Sequence, residues 1–349
     1  MSLIFAEGFD WVDTSLTGDN LITQLTGWGG SDLQVSGTAG SVITGRLGGN
    51  AISMGSVPNH RLISPAVNPS GATDGIIGFA FLTPAGFNAD IIFQLRAATS
   101  PNNGFTGFQL RVSAGGVLSL DPHDINATEE PLTTLNPNQW YYIEIRFDLG
   151  TTNFANMPIT VNLDGVQQFS GDLQIGDDDG WNSFQLNGAN WAFDDFYVCS
   201  TSGPINNDIL GPITIRALVP DADSTTTDFT ASSPGDHFTL VDELGPDGDS
   251  TYVESSGAGQ VELYSHEPSA PSGSVIGVVQ TVTMRATDVT PVNVQFTSRS
   301  GGVDTTQPIV TIGSQDYNAF HQTYDLDPSN SAAWTEATLD ATEFGITRT

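Results

Sequence analysis

The sequence contains no lysine, and its nine cationic side chains are all arginines, set against 40 aspartates and glutamates. Schiff-base catalysis and the phosphate-binding loop of Walker-type nucleotidases both need a lysine, so these functions are excluded. Nine scattered arginines do not form the cationic stripe that sequence-independent binding of DNA or RNA requires. A net charge of −31 also repels anionic membrane surfaces. We therefore expect neither a nucleic-acid partner nor a membrane partner.

Cysteine and long apolar runs are scarce as well. Cys199 is the only cysteine, which excludes an intrachain disulfide framework and a cysteine-based zinc site. The most apolar stretch, 76–95, is interrupted by Pro84, Asn88 and Asp90, so we predict no transmembrane helix. The amino-terminal segment lacks the basic start and unbroken apolar run of a signal peptide, so no export leader is expected.

The pattern that is present is an alternation of apolar and polar residues with a period of two. In 140–148 the odd-numbered residues are apolar and the even-numbered ones are mostly polar, which predicts a strand with one buried and one wet face. Asp164-Gly165 predicts a hairpin turn. Similar short segments recur along the first part of the chain, separated by Gly, Asn, Pro and Asp. Such spacing is typical of an antiparallel sandwich.

A polar segment rich in Gly, Pro and Asn, 200–211, predicts a domain boundary. Beyond it, 221–233 and 242–256 are acidic and rich in Ser and Thr, and strand patterns resume at 275–285. The composition changes at this point, so the two parts of the chain are expected to be different β domains.

One segment near the end has the features of a short helix. Thr335 can cap it, Trp334 and Leu339 are placed for a hydrophobic staple, and Gly345 can end it. We therefore predict an all-β protein. Residues 1–203 form an antiparallel jelly-roll sandwich, and 204–349 form a second, smaller β-sandwich domain with one short helix near the C-terminus.

Residues 1–200 resemble the concanavalin A-like, laminin G-like jelly-roll family. The motifs that carry the resemblance are the opening LIFAEGFDW, the central NPNQWYYIEIRFDLG, the hairpin ITVNLDGVQQFSG and the closing WAFDDFYVCSTSG. The opening, followed by an acidic continuation that ends in WTEATLDATEFGI, is also similar to structural proteins of tailed-bacteriophage particles. This resemblance implies location in the virion and major capsid or tail proteins as partners. It also implies a homo-oligomer, for which a trimer is a common arrangement.

Glycosidases also use jelly rolls, and they require two nearby carboxylates. Glu144 and Asp148 share a strand face, but Arg146 lies between them and is expected to pair with both in a solvated row. No serine has glycine at both −2 and +2, and His266-Glu267 lacks the second histidine of a zinc protease. We therefore expect no catalytic activity and no cofactor other than a candidate calcium ion.

Calcium prefers several oxygen ligands on flexible loops, and jelly rolls of the resembled family often hold it at a loop edge. Three acidic clusters supply the candidate ligands: Asp177, Asp179, Asp221, Asp223, Asp228, Asp247 and Asp249. Trp181 follows an acidic turn and is the candidate for an exposed aromatic ring that covers a sugar.

These observations favour a non-enzymatic structural component of a tailed-phage particle. It would lie on the capsid surface, as a decoration protein or head fibre, or in the tail, and would dock to repeating neighbours. The alternative is a lectin-like adhesin that recognises a host-surface glycan through Trp181. A glycoside hydrolase is the third and least favoured alternative, because the sequence offers no clear carboxylate pair.

Overall fold

The computed structural model describes residues 2–17, 21, 25, 40–56, 61–68, 72–97, 105–122, 128–150, 156–174, 180–269 and 273–349. The chain forms two compact units. The first comprises Met1–Asp10 and Thr14–Ile215, and the second comprises Trp11–Asp13 and Arg216–Thr349. The boundary therefore lies after Ile215, later than the predicted one after residue 203. Within the described residues, no helix is long and apolar enough to cross a membrane.

The first unit is built from fourteen described strands. They are β1 (Leu3–Glu7), β2 (Ser41–Thr44), β3 (Asn50–Ser53), β4 (Arg61–Ile63), β5 (Asp74–Leu82), β6 (Asp90–Ala97), β7 (Phe105–Val112), β8 (Val117–Pro122), β9 (Glu130–Thr134), β10 (Trp140–Asp148), β11 (Asn156–Leu163), β12 (Val166–Gln174), β13 (Trp181–Asn187) and β14 (Ala192–Cys199). One sheet has the order β12-β11-β10-β5-β14-β3-β2, with β1 paired to β14. The other has the order β4-β13-β6-β7-β8-β9.

Aromatic side chains join these two antiparallel sheets face to face. Phe147 of β10 lies edge-on to Phe108 and Trp181 of the other sheet, at ring-centroid distances of 5.3 and 5.5 Å. Phe79 stacks on Phe93 at 5.3 Å. The odd-numbered residues of β10 therefore face the sandwich core, as the alternation predicted. The predicted all-β sandwich is confirmed.

The opposite, outer face of the larger sheet contains a row in which an aromatic ring crosses a glycine. Gly78 of β5 pairs with Glu144 of β10 on one side and with Tyr197 of β14 on the other. The Tyr197 ring lies where a side chain on Gly78 would project, and its hydroxyl donates to Glu144 Oε1 at 2.7 Å. Gly78 thus permits a hydrogen bond that spans three strands.

The described part of the second unit contains ten further strands and one α-helix. The strands are β15 (Pro220–Thr227), β16 (Thr230–Ala231), β17 (Val253–Glu254), β18 (Val261–His266), β19 (Val278–Met284), β20 (Val292–Ser300), β21 (Val303–Thr306), β22 (Val310–Ile312), β23 (Asn318–Tyr324) and β24 (Glu343–Arg348). The larger sheet has the order β15-β18-β24-β20-β21, with β22 beside β20. The pair β19-β23 packs on it through a core that includes Met284, Val294, Ile312 and Phe320.

The predicted helix is present as α1 (Glu336–Asp340), and Thr335 caps it in a capping box with Thr338. Trp334 and Leu339 are buried together, which confirms the hydrophobic staple. The predicted end at Gly345 is wrong, because Gly345 lies inside β24. A side chain there would collide with the Glu262 carbonyl of the paired strand, so close strand approach explains this glycine.

The acidic segment after residue 220 belongs to a sheet. It forms the edge strand β15 and pairs with β18 in a register that is twice interrupted. Pairing is possible without apolar alternation because an edge strand needs a partner on only one side.

Replacing Gly78 by alanine should destabilise the first unit by about 1–3 kcal/mol, the usual cost of overpacking a filled site. The added methyl group displaces the Tyr197 ring and breaks its hydrogen bond to Glu144. Urea denaturation measures the loss. Gly86→Ala is the matched control, since a methyl group at Gly86 meets open space. Equal stabilities of the two variants would contradict this account.

Candidate functional site

A cluster of charged and aromatic side chains on the outer face of the larger sheet is the most unusual site in the first unit. We call it the outer-face cluster; it consists of Arg46, Tyr142, Glu144, Asp194, Asp195 and Tyr197. Its three carboxylates belong to residues that are only 0 % (Glu144), 3 % (Asp194) and 1 % (Asp195) exposed. Burial of ionised carboxylates is costly unless each finds a partner, so their contacts decide whether the site is stable.

A β-bulge places both neighbouring aspartates in the interior. The register of β14 against β5 shifts between Asp194 and Tyr197, and Asp195 has a positive φ of 51°. Because the chain does not alternate here, Asp194 and Asp195 are both buried. A regular strand would instead point one of these neighbouring residues inward and the other outward.

Arg46 contacts both aspartates, Asp195 through its guanidinium and Asp194 through its backbone N–H. Its Nε and Nη2 lie 3.0 and 2.9 Å from Asp195 Oδ2, and its backbone N–H donates to Asp194 Oδ2 at 2.8 Å. The guanidinium also lies over the Tyr142 ring, 4.7 Å from the centroid. A buried aspartate needs an arginine or a backbone N–H as a partner, and Asp195 has both, the Arg46 guanidinium and the Ile215 N–H.

The segment 208–215, which we call the covering segment, lies over this cluster. Its backbone N–H groups donate to the buried carboxylates: Gly211 to Glu144 Oε1 at 2.8 Å, and Ile215 to Asp195 Oδ1 at 2.7 Å. Arg46 Nη2 donates in return to the Ile213 carbonyl. These bonds explain why the boundary of the first unit lies after Ile215.

Apolar contacts complete the cover. Ile209, Leu210 and Ile213 of the covering segment pack on the outer-face side chains of the sheet, including Ile76 and Cys199. Cys199 is therefore a buried core residue. The Tyr142 hydroxyl donates to the Asp195 carbonyl at 3.1 Å, so the second tyrosine of the cluster also links neighbouring parts of the sheet.

The covering segment overturns the expectation of a solvated row of ion pairs along β10. Glu144 is sealed from solvent, whereas Asp148 is exposed. Arg146 pairs with Asp208 of the covering segment at 2.9 Å, and not with Glu144 or Asp148. The sequence pattern could not identify this arrangement because the covering bond joins residues 67 positions apart.

Burial shifts the protonation of the cluster. Burial and the neighbouring Asp195 charge raise the pKa of Asp194 from 3.8 to about 8. Burial also raises the pKa of Asp195, although the Ile215 N–H and the Arg46 guanidinium oppose the effect. The pKa of Glu144 is raised by burial against the hydrogen bonds from Tyr197 and Gly211. Asp194, which is buried beside the Asp195 carboxylate, therefore retains its proton at a pH where exposed aspartates are ionised.

The predicted glycan-binding residue is not available to a ligand. Trp181 is the first residue of β13 and is only 1 % exposed. Its indole N–H donates to the Asp74 carbonyl at 3.2 Å, and its ring packs against Phe147. The acidic turn before it suggested a loop, but the strand begins at the tryptophan and directs it into the core.

The candidate calcium ligands do not come together in the described part of the chain. Asp177 and Asp179 lie outside the described residues. Asp221 is exposed on β15, and among residues that the structure describes no three acidic or histidine side chains are arranged to hold a metal.

The other candidate ligands have local structural partners. Asp223 accepts hydrogen bonds from the backbone N–H groups of His237 and Phe238, where the 3₁₀ turn His237–Leu240 begins.

Asp228 accepts a hydrogen bond from the Val261 N–H at 3.0 Å. Asp247 accepts from Thr251, and Asp249 pairs with Arg285 at 2.8 Å. Calcium binding stays a prediction.

No protein-family model matches this chain, and no curated protein is similar to it in sequence. Among solved structures, an endo-β-1,4-glucuronan lyase from the fungus Trichoderma reesei is 16% identical, with 54% of this chain and 96% of that chain covered and a TM-score of 0.37. A carbohydrate esterase from the Shiga toxin-encoding bacteriophage phi24B is 15% identical, with 54% and 98% covered and a TM-score of 0.35.

A Caenorhabditis elegans galectin is 12% identical, with 40% of this chain and 91% of that chain covered and a TM-score of 0.30. TM-scores this low carry no information about the activity or ligand of this chain.

The raised pKa of Asp194 predicts how stability depends on pH. Between pH 3.8 and about 8 the folded state keeps the Asp194 proton, whereas the unfolded chain releases it. The contribution of Asp194 to the free energy of unfolding is therefore fully present at low pH and is lost as pH rises toward about 8. The difference in melting temperature between the native protein and Asp194→Asn should therefore change steadily over this range, because the amide cannot ionise. Calorimetry at matched ionic strength measures it, and a difference that is independent of pH would contradict the assignment.

Proposed function

We propose that this chain is a non-enzymatic structural component of a tailed-phage particle. The proposal rests on the sequence resemblance and on one observation about the first unit. The carboxylates that a hydrolase would need are buried and bonded to the backbone of the covering segment. Carboxylates that are buried and hydrogen-bonded in this way stabilise the fold and do not serve acid–base catalysis.

The proposed mechanism is assembly. Stacked antiparallel sheets give a rigid frame, and exposed loops and edges dock to repeating neighbours on the capsid surface or in the tail. Exposed arginines such as Arg111 and Arg146 are suited to bind carboxylates of a partner, because the rest of the surface is acidic. Binding only to the assembled lattice would stabilise that lattice by mass action.

Quantitative mass spectrometry of purified particles of the encoding phage tests this proposal. We expect the chain to be present in a fixed ratio to the major capsid protein or to a tail protein. Its presence in the lysate together with its absence from purified particles would contradict a structural role. Measurable turnover of a polysaccharide, lost in Glu144→Gln, would contradict the non-enzymatic part.

A further inference from the structure

The larger sheet of the first unit ends at β12, an edge strand that is open to solvent. In the described part of the chain, β12 is hydrogen-bonded to β11 alone, and six of its nine residues are exposed. Among the described residues, the backbone groups of 167–174 form no hydrogen bond outside the pairing with β11. An edge strand with free N–H and C=O groups is a template on which a further strand can pair.

The strands at the other three ends of the two sheets are protected against such pairing. β2 and β4 are only four and three residues long, and β9 carries Glu130 and Pro131. Short length, charge and proline are usual means of blocking an edge. β12 has nine residues, no proline and a single charged residue, Asp172. Its β-bulge, at Gln168, interrupts one end of the strand and leaves 169–174 regular.

The regular part of β12 is complementary to itself in an antiparallel pair. When Gly171 of one copy lies opposite Gly171 of another, Phe169 lies opposite Leu173, and Ser170 lies opposite Asp172. Directly opposite residues of antiparallel strands point to the same side of a sheet, so each of these pairs is in contact. Leu173 is buried and Phe169 is half-buried, so their pairing continues the apolar core from one copy into the other.

The polar side chains of β12 also match in this register. Ser170 and Asp172 are both exposed, and a serine hydroxyl can donate a hydrogen bond to a carboxylate. The Ser170 hydroxyl shares one hydrogen bond with Thr160 of β11, which leaves it further capacity. Each Asp172 carboxylate therefore meets a hydroxyl, and the two Asp172 carboxylates are not opposite one another.

We propose that β12 is the interface through which two copies of this chain pair about a two-fold axis at Gly171, so that their larger sheets become continuous. A contact of this kind uses the same surface on both copies, covers both open edges at once and closes the assembly at two copies. The inference goes beyond the proposed function, because it specifies the contact and its symmetry. It favours a dimer over the trimer that the sequence resemblance implies.

The net charge determines how this pairing depends on salt. Two copies that each carry −31 repel one another, and dissolved salt screens this repulsion. The contact at β12 is formed by apolar residues, backbone groups and one hydroxyl–carboxylate pair, which salt weakens little. Association should therefore become stronger as the salt concentration rises.

Analytical ultracentrifugation of the full chain over a range of protein and salt concentrations tests the proposal. We expect a monomer–dimer equilibrium that shifts toward the dimer between about 0.1 M and about 1 M salt. Ser170→Asp should raise the dissociation constant at least tenfold, because it places two carboxylates opposite each other on both sides of the axis. Thr225→Asp is the matched control, since it adds the same charge to an exposed position on β15.

Exchanging the two polar residues tests the register itself. The double variant Ser170→Asp with Asp172→Ser again places a hydroxyl opposite each carboxylate, but only if Gly171 lies on the axis. We therefore expect it to restore the dissociation constant of the native protein, and equal melting temperatures of all variants establish that the changes arise at the interface.

Three results would overturn the proposal: a monomer at every protein and salt concentration, a closed trimer, or a dimer whose dissociation constant Ser170→Asp leaves unchanged. A double variant that associates as weakly as Ser170→Asp alone would overturn the axis at Gly171. None of these results bears on whether the chain is present in phage particles, so this proposal and the proposed function fail separately.

Discussion

A carboxylate inside a protein must have a hydrogen-bond donor or an opposite charge, since leaving it unpaired costs several kcal/mol. In the first unit, Glu144 and Asp195 meet this requirement through backbone N–H groups of the covering segment. The covering segment shields the two carboxylates from solvent, and the hydrogen bonds to these carboxylates keep the covering segment on the sheet. The position of the boundary after Ile215 and the sealed outer face of the larger sheet both follow from this mutual dependence.

Local patterns predicted the parts of the fold that local physics controls. The alternation in β10 identified the face that packs in the sandwich, and Thr335 with Leu339 identified α1, because strand period and helix capping act over a few residues. The burial of Glu144 could not be predicted in this way. It depends on a ring that crosses Gly78 and on a segment 67 residues away, and neither leaves a periodic signal. A useful hint was the apolar content of Ile209, Leu210 and Ile213 in a stretch that otherwise has the composition of a linker.

The candidate sites were harder to predict than the fold for the same reason. Residue type suggested Trp181 and the acidic loops, but a tryptophan beside a polar turn can equally begin a strand that points into the core. The outer-face cluster is made of ordinary residues such as Glu144 and Asp195, which come together only through a β-bulge and through hydrogen bonds from a distant segment. Common residue types thus become a site through geometry, which no single stretch of sequence contains.

Backbone hydrogen exchange measures the central dependence directly. The amide protons of Gly211 and Ile215 donate to buried carboxylates, so they should exchange slowly, with protection comparable to that of β14. Glu144→Ala should remove the protection at Gly211 while β14 keeps its own. Exchange of both amides at the rate of an unstructured peptide, with β14 still protected, would contradict the account.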